Sequence, residues 1–363
     1  MWPIFVIHRS HSSKMKTIKG PGVFLAQFLR DTEPYNNIGS ISTWLASLGY
    51  KGIQIPTWDA RIFDLDRAAS SKTYCEDYRG NRNEAGLEVI ELASYLQGQV
   101  LAMHPAYEVL FQSFFPKGLN DKQRTDWAVD QLRKSISASY HFGTTNISVL
   151  SGGLAWPYMY PWPQRSQGLV NEAFEELAKR WMPLLNMAND HGITFGFELH
   201  PGSDLFDGAT FLKFLEKTDH HPAACVTYDA SHFLLQQLDY IEFIKIFGDR
   251  IKAFHVKDAE FNPNGMVGVY GGYNDWVQRA GRFRSPGDGQ IDFKKVFTRL
   301  TESGYNGWAI LEWECCIKSA VQGAAEGAPF IRRHIIESAQ YAFDEFANGA
   351  TDKEMNRKIL GLK

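Results

Sequence analysis

Hydrophobic positions along the chain form short runs that alternate with longer amphipathic segments. Eight of the runs are predicted as strands, and they cover residues 18–25, 52–55, 99–103, 146–150, 194–199, 224–228, 251–256 and 308–311. Most of these runs are apolar throughout, which is typical of strands that are buried on both faces of a parallel sheet. The pattern therefore predicts an α/β protein.

Amphipathic segments with helical periodicity separate the predicted strands. They cover residues 38–48, 84–96, 121–140, 171–191, 209–217, 239–247, 293–303 and 329–346. Several end at a glycine, such as Gly49 or Gly192, and a strand follows directly. Eight strands joined by right-handed helical crossovers can close into a single (β/α)8 TIM barrel. The alternative is an open doubly wound sheet, but no G-x-G-x-x-G motif follows the first strand.

The barrel is expected to occupy residues 17–350 as one catalytic domain. Residues 1–16 are interpreted as an N-terminal extension, with Met15 as a second candidate start, and residues 351–363 as a C-terminal tail. The longest segments after predicted strands are residues 58–83, 152–169 and 259–290. The last of these, which follows predicted strand seven and is called the insert below, is the longest. Such segments lie at the face that carries chemistry in TIM barrels.

Composition supports a large buried core and excludes several classes of function. The 363 residues are 44% hydrophobic, and 38 Lys and Arg against 41 Asp and Glu leave a net charge of −3. This balance offers no broad positive field for nucleic acid or anionic lipid. No apolar run approaches the roughly 20 residues that a membrane span needs. Four cysteines without C-x-x-C spacing indicate a reduced, cytoplasmic protein with neither a disulfide framework nor a cysteine zinc site.

Polar residues follow the last four predicted strands at the points where the apolar runs end. These residues are Glu198, Asp229, His255 and Glu312. A barrel gathers such strand ends around one mouth. One glutamate at a strand end is more often part of a salt bridge, and one buried histidine is more often a core residue. Four coincidences together predict a site for one divalent ion, and the ligand set suits Mn²⁺, Mg²⁺, Co²⁺ or Zn²⁺.

The same residues carry a resemblance to the xylose isomerase-like TIM-barrel superfamily, over about residues 17–346. The most specific motifs are Glu198, Asp229-x-x-His232, His255-x-Lys257-Asp258, the run from Gly287 to Phe293 (GDGQIDF), and Glu312. The superfamily includes sugar isomerases and epimerases, inosose dehydratases and endonuclease IV. The resemblance implies that Glu198, Asp229, His255 and Glu312 hold the metal, with Mn²⁺ as the first choice. It also implies that Glu198 and Glu312 serve as catalytic base and acid. Glu314 is the rival for the last ligand, because it lies on the same strand face as Glu312.

Further side chains are expected at the substrate. His232 is assigned either to a substrate hydroxyl or to an orienting contact with Glu198. Lys257 and His200 are placed in the same pocket by strand alternation. His104 is expected at the end of predicted strand three, with a surface or core role as the alternative.

The insert contains Arg279, Arg282 and Arg284 among glycines and aromatic residues. Arginine can bind phosphate or carboxylate through two parallel hydrogen bonds. We assign Arg282 to substrate binding, with the alternative that the arginines hold the loop in place through Asp275 and Asp288.

The resemblance implies a divalent-metal-dependent sugar isomerase or epimerase that removes a proton next to a carbonyl and passes through a metal-stabilised enediolate. The main alternative is a lyase or dehydratase acting on a 3-keto sugar, an inosose or an oxidised glycoside. The insert and the loop tryptophans Trp58, Trp156 and Trp162 suit a bulkier substrate of that kind. An endonuclease is not expected, because the extra zinc-binding Asp-x-His motif is missing from residues 279–284. The expected partner is a small carbohydrate, with no nucleic acid and no membrane, and the resemblance leaves a homo-oligomer open.

Overall fold

Eight parallel strands close into a barrel in the computed structural model, which describes residues 17–337 and 352–362. Their bounds are β1 Lys19–Phe24, β2 Gly52–Pro56, β3 Glu88–Ala93, β4 Asn146–Val149, β5 Thr194–Glu198, β6 Ala224–Asp229, β7 Ile251–Val256 and β10 Trp308–Leu311. The strands are paired in the order β1-β10-β7-β6-β5-β4-β3-β2, and β1 closes the ring against both β2 and β10. The predicted TIM barrel is confirmed.

Helices cover the outside of the barrel. Their bounds are α1 Ile38–Ser47, α2 Leu65–Ser70, α3 Lys72–Glu84, α4 Tyr95–Leu101, α5 Glu108–Phe111, α6 Asp121–Phe142, α7 Leu169–Asp190, α8 Gly208–Lys217, α9 Ala230–Leu235, α10 Tyr240–Phe247, α11 Phe293–Glu302, α12 Ala320–His334 and α13 Lys353–Ile359. Trp181 of α7 is fully buried, and its ring packs edge-on against Phe195 and Phe197 of β5 at 5.2 and 4.7 Å between centroids. The apolar face of α7 therefore packs on the sheet as its amphipathic pattern predicts.

The third strand corrects the sequence prediction. Residues 84–96 were expected to be helical and residues 99–103 to form a strand, but the strand is β3 and residues 99–101 belong to α4. Glu91 explains the error, because its buried carboxylate accepts hydrogen bonds from Gln54, Asn146 and Ser148 inside the barrel. A charged residue in an interior position hides the apolar run on which the strand prediction depends. The long segment over residues 58–83 is largely helical, since it contains α2 and most of α3.

The insert contains a two-stranded antiparallel ribbon, β8 Asp258–Phe261 and β9 Gly281–Arg284. Buried Asp258 fixes the chain after it by accepting hydrogen bonds from the backbone amides of Ala259, Gly287, Gly289 and Ile291. A β-carbon at Gly289 would collide with the Asp258 carboxylate. The glycine is therefore required by close approach.

Two boundaries of the predicted domain lie outside the described residues. They are the extension over residues 1–16 and the C-terminal boundary at residue 350. The helix predicted over residues 329–346 begins earlier than expected, because α12 starts at Ala320 and includes Pro329 in its interior. The predicted end of that helix also lies outside the described residues. The predicted tail contains α13, an exposed helix. Within the residues described, no helix is both long and apolar enough to cross a bilayer.

Candidate active site

Four buried side chains converge at the carboxyl ends of the barrel strands. Glu198 and Asp229 are the last residues of β5 and β6, His255 lies in β7, and Glu312 follows β10. One potential ligand atom from each lies within 4.8 Å of the others, and all four residues are at most 5% exposed. The structure thus brings together the four residues that the sequence singled out as a metal-binding set.

Two carboxylate oxygens of this cluster make no hydrogen bond within the described residues. His255 Nδ1 lies 2.9 Å from Glu312 Oε2 and 3.6 Å from Glu198 Oε2. Within residues 17–337 and 352–362, Glu198 Oε2 and Asp229 Oδ2 are buried and make no hydrogen bond. Leaving a buried carboxylate oxygen unbonded is costly. A divalent cation among these oxygens would remove that cost, and three carboxylates with one imidazole are suitable ligands for it. The residues therefore fit the ion that the fold family implies.

Lys257 lies at the edge of the cluster and is 1% exposed. Its Nζ lies 3.3 Å from Glu312 Oε2, 3.5 Å from Asp229 Oδ2 and 3.0 Å from Glu314 Oε2. Burial alone would lower the pKa of Lys257, but the negative charges around it, Glu312 first, hold that pKa well above its usual value. The side chain is therefore a fixed positive charge beside the candidate metal ligands.

The imidazole of His232 supports Glu198. Its Nε2 lies 3.0 Å from Glu198 Oε1 and 3.4 Å from Asp229 Oδ2. Burial, and next the charge of Lys257, keep the pKa of His232 well below its usual value, so the ring is neutral. Lys257 Nζ lies 3.2 Å from the same Nε2 atom. Because Nε2 carries the proton that it donates to Glu198, it cannot also accept a hydrogen bond from Lys257. The hydrogen bond from His232 to Glu198 matches the alternative in which His232 orients that carboxylate. The ring of His200 packs against the ring of His232 at 4.2 Å between centroids.

Sequence reasoning missed the residue that orients His255. Gln54, buried in β2, has its Oε1 3.0 Å from His255 Nε2, and its own Nε2 donates to Glu91 Oε1 at 2.5 Å. The carboxylate of Glu91 accepts only from the amide nitrogen, so it fixes which end of Gln54 faces the imidazole. His255 must then donate from Nε2, which leaves Nδ1 directed at the cluster. No sequence signal marked Gln54, because it lies inside an apolar run of β2.

Two other residues at the cluster, Gln27 and Tyr95, were not predicted from the sequence. Gln27 Nε2 donates to Glu312 Oε1 at 3.1 Å. The buried hydroxyl of Tyr95 lies near Glu198 but makes no hydrogen bond of ordinary length among the described residues. Burial, and then the charges of Glu198 and Glu312, hold the pKa of Tyr95 well above its usual value. Tyr95 is therefore a neutral donor available at the cluster.

Charge interactions set the protonation states of two cluster members in opposite directions. Burial alone would raise the pKa of Glu312, but Lys257 and His255 hold it well below its usual range. Burial alone would lower the pKa of His255, but the Glu312 carboxylate raises it to about 9. Glu312 is thus ionised and His255 carries a proton that a cation bound at Nδ1 would replace.

A cavity of about 920 Å³ opens above the cluster. Gln27 and His232 line it, and each hydrogen-bonds one of the cluster glutamates. Its walls are largely aromatic, with Trp156, Phe206, Tyr270, Trp276, Phe283 and Trp313. Small-molecule sites of roughly 300–1,000 Å³ accommodate drug-sized ligands. The cavity therefore has room for more than a single sugar ring.

Buried Asp204 fixes the wall that carries Trp156. Its carboxylate accepts hydrogen bonds from the backbone amides of Leu154, Ala155 and Trp156 at 2.8, 2.9 and 2.8 Å. This loop follows β4, and its position is set by one side chain from the loop after β5. Trp156 is thereby held at the cavity before any ligand binds.

The remaining predicted site residues lie in different surroundings. Glu314 lines the cavity and pairs with Lys257, outside the four-residue cluster. His104 does not end a strand as expected, because it follows α4, where its Nε2 lies 3.2 Å from the Tyr158 hydroxyl. Arg282 donates to Glu260 Oε1 at 2.6 Å and to Val277 O at 2.5 Å. The position of Arg282 favours the loop-holding alternative, with Glu260 as the partner in place of Asp275 or Asp288.

Comparison with known proteins gives a family match over most of the chain. The family model described as "Xylose isomerase-like TIM barrel" matches residues 43–334. An inosose dehydratase of Geobacillus kaustophilus is 29% identical over 274 residues, which are 74% of this chain and 78% of that protein. An inosose dehydratase of Lacticaseibacillus casei is 28% identical over 44% of this chain and 51% of its own length.

Solved structures with low sequence identity share the fold. A xylose isomerase domain protein from Planctomyces limnophilus aligns with a TM-score of 0.57 at 15% identity, over 89% of this chain and 98% of its own. The 3-keto-D-glucoside 4-epimerase of E. coli aligns with a TM-score of 0.58 at 15% identity, over 86% of this chain and 98% of its own. At this identity the alignments bear on the barrel and not on the reaction.

Proposed function

This chain belongs to the xylose isomerase-like TIM-barrel family, and from that premise we propose that it is a divalent-metal-dependent carbohydrate isomerase or epimerase. One observation carries the proposal: two unbonded carboxylate oxygens, on Glu198 and Asp229, lie in a buried four-residue cluster beneath a substrate-sized cavity. Glu198, Asp229, His255 and Glu312 would hold the ion, with Mn²⁺ as the first candidate. Bound there, the ion would polarise a substrate carbonyl and acidify the adjacent C–H bond.

Glu198 is suited to remove the proton. His232 donates to its Oε1, which fixes the carboxylate, while Oε2 accepts no hydrogen bond among the residues described. A positioned carboxylate of this kind contributes about 10²- to 10⁴-fold as a general base. Glu312 comes from a strand three positions away around the ring, so it approaches the cluster from a different side. In an epimerisation it would return a proton to the opposite face.

Lys257 and Tyr95 are suited to stabilise negative charge on the substrate oxygen. Lys257 is a buried ammonium with three carboxylates around it, and Tyr95 has a buried hydroxyl near Glu198 that makes no hydrogen bond of ordinary length in the described chain. Both are donors held in place before the reaction, which is the arrangement that stabilises a developing oxyanion.

Solvent isotope exchange tests the proposal. The Mn²⁺-loaded protein is incubated in D₂O with a panel of ketoses, inososes and 3-keto-glucosides, and the carbon next to the carbonyl is followed by NMR. Deuterium should enter that carbon, and Glu198→Gln should abolish the exchange. Glu172→Gln, an exposed residue of α7, is the matched control and should exchange normally. Turnover without solvent label would indicate a hydride shift and overturn the proton-transfer role of Glu198.

A second candidate is a dehydratase or lyase that begins with the same proton abstraction. It is favoured by the curated relatives, because the Geobacillus protein that is 29% identical is an inosose dehydratase. Elimination needs one base and one acid near the leaving group. Lys257 and His232 are the candidate acids, because His232 contacts Glu198, Lys257 contacts Glu312, and the two lie next to each other. An unsaturated or dehydrated product in the same panel would identify this reaction, whereas an inverted carbon without loss of a group would identify an epimerase.

A further inference from the structure

The three arginines of the insert lie in different electrostatic surroundings. Arg282 and Arg284 both donate to Glu260 Oε1, at 2.6 and 2.7 Å. Glu260 is 9% exposed, and its carboxylate forms an ion pair with both guanidinium groups. These two arginines therefore already have an acidic partner within the protein.

Arg279 has no such partner. Across residues 17–337 and 352–362, its guanidinium forms no salt bridge and no side-chain hydrogen bond, and its Nε is buried without an acceptor. Yet Arg279 lines the cavity. A buried guanidinium donor that lacks an acceptor destabilises the folded chain. No acidic side chain of the described residues therefore accounts for the N–H groups of this arginine.

The guanidinium is nevertheless held in a defined plane. Its central carbon lies 4.6 Å from the centroid of the Trp276 ring, over the ring face. On another side it packs on the backbone of Gly271, where a β-carbon would lie 2.7 Å from Nη2. Stacking uses the flat face of the group and leaves the N–H groups in its plane available, and this edge matches a carboxylate or phosphate through two parallel bonds.

The other charged groups in the cavity wall do not compete for Arg279. Among the described residues that line the cavity, Glu314 is the one with a carboxylate, and its Oε2 pairs with Lys257 at 3.0 Å. The rest of the wall is mostly apolar, and its polar side chains include Gln27, His200, His232 and Gln236. An acid entering this cavity would therefore meet a single unpaired cation in apolar surroundings, where a charge-assisted hydrogen bond is strong.

We propose that Arg279 binds an acidic group, a carboxylate or a phosphate, on the substrate of this enzyme. The substrate is then an acidic sugar derivative, with its carbonyl end at the cluster and its acidic group at Arg279; this assignment of substrate class rests on the proposed function. The aromatic wall seats the part of the molecule between the two ends.

Binding measurements with defined probes test the proposal on the full-length, Mn²⁺-loaded protein. A sugar-free set consists of benzoate, phenyl phosphate and neutral benzyl alcohol. A sugar set consists of phenyl β-D-glucuronide, phenyl β-D-glucoside 6-phosphate and neutral phenyl β-D-glucoside. Titration calorimetry gives Kd for each probe with wild type, Arg279→Gln, Arg279→Lys and the matched control Arg282→Gln.

Wild type should bind the acidic member of each set more tightly than the neutral one. Arg279→Gln should weaken acidic probes about 10- to 100-fold and leave neutral probes unchanged, and Arg279→Lys should lie between, because it keeps the charge and loses the planar edge. Arg282→Gln should preserve the preference for acids. Comparing Kd for the carboxylate probes with Kd for the phosphate probes shows which of the two acidic groups Arg279 prefers.

Equal weakening of acidic and neutral probes in Arg279→Gln would overturn the proposal, as would a wild type without preference for acids. The two sets separate this failure from that of the proposed function. Acid preference in the sugar-free set, with no gain in affinity from the sugar, would support Arg279 as an anion site and count against a carbohydrate substrate.

Discussion

Gln54 Oε1 lies 3.0 Å from His255 Nε2, and this contact inside the barrel decides which nitrogen of the histidine faces the other cluster residues. Glu91 in turn fixes the amide of Gln54. Hydrogen bonds of this kind to a ligand histidine typically tune metal affinity and activity by 10- to 100-fold. A residue that touches neither the ion nor the substrate therefore has a direct chemical consequence.

Replacing Gln54 by leucine should weaken Mn²⁺ binding about 10- to 100-fold, because His255 loses the acceptor that orients its ring. Affinity is measured by titration calorimetry on the metal-free protein. Gln97→Leu is the matched control, since Gln97 is also a buried amide but donates to Thr57. Equal affinity in wild type and Gln54→Leu would mean that packing alone orients His255.

Substituting the cluster residues should remove the ion. Purified wild type should contain about one divalent ion per chain, and Asp229→Asn and His255→Ala should lose most of it, because each removes one of four ligands. Elemental analysis after dialysis measures the content. His104→Ala, outside the cluster, should retain the ion. Full occupancy in both cluster variants would place the metal elsewhere.

The two glutamates after β10 should differ in their effect on turnover. Glu312→Gln should lower kcat by about 10²- to 10⁴-fold, because Glu312 joins His255 and Lys257 inside the cluster. Glu314→Gln should lower it less than about 10-fold, because the Glu314 side chain is 38% exposed and contacts only Lys257 of that group. The kcat of each variant is measured with the substrate into which deuterium is incorporated in D₂O. The reverse order would make Glu314 the ligand.

Removing the ion should lower thermal stability. Three carboxylates lie together at the barrel mouth, and a cation that binds only the folded chain stabilises it by mass action. Adding EDTA should therefore lower Tm, and Mn²⁺ should restore it in proportion to the logarithm of its concentration. The Asp229→Asn variant should show no such dependence; a metal-dependent Tm in that variant would contradict the assignment.

Asp204→Asn should destabilise the loop that carries Trp156 by about 1–3 kcal/mol, because an amide NH₂ group would face a backbone N–H where a carboxylate oxygen now accepts. Urea unfolding measures the loss. Asp130→Asn, at an exposed position on α6, should change the free energy of unfolding by less than about 0.5 kcal/mol. A loss no larger than that of the control would show that the loop holds its position without Asp204.

The sequence predicted most of the barrel, because seven of its strands are apolar runs that the helical segments separate. It also predicted the cluster, since Glu198, Asp229, His255 and Glu312 each interrupt or end such a run. The third strand was missed for the opposite reason. Glu91 lies in the barrel interior, bonded to side chains of β2 and β4, and only the closed ring brings those partners to it.

Contacts between distant residues account for what the sequence did not predict at the site. Gln54 and His255 are separated by 201 positions, and Gln27 and Glu312 by 285. Among the insert arginines, only the pairing of Arg282 and Arg284 with Glu260 distinguishes them from Arg279. Spacing along the chain carries no information about which of three arginines keeps a free guanidinium.

The anchoring of the insert has an evolutionary consequence. Asp258 and Glu260 fix the two strands of the ribbon and the turn that follows them, while the cavity wall beyond comes from the segment between the strands. Changes within that segment can therefore alter which molecules fit without disturbing the four cluster residues on the barrel. In such an architecture, substrate range can diversify through changes in this segment. Reaction chemistry can diversify separately, through changes at the strand ends.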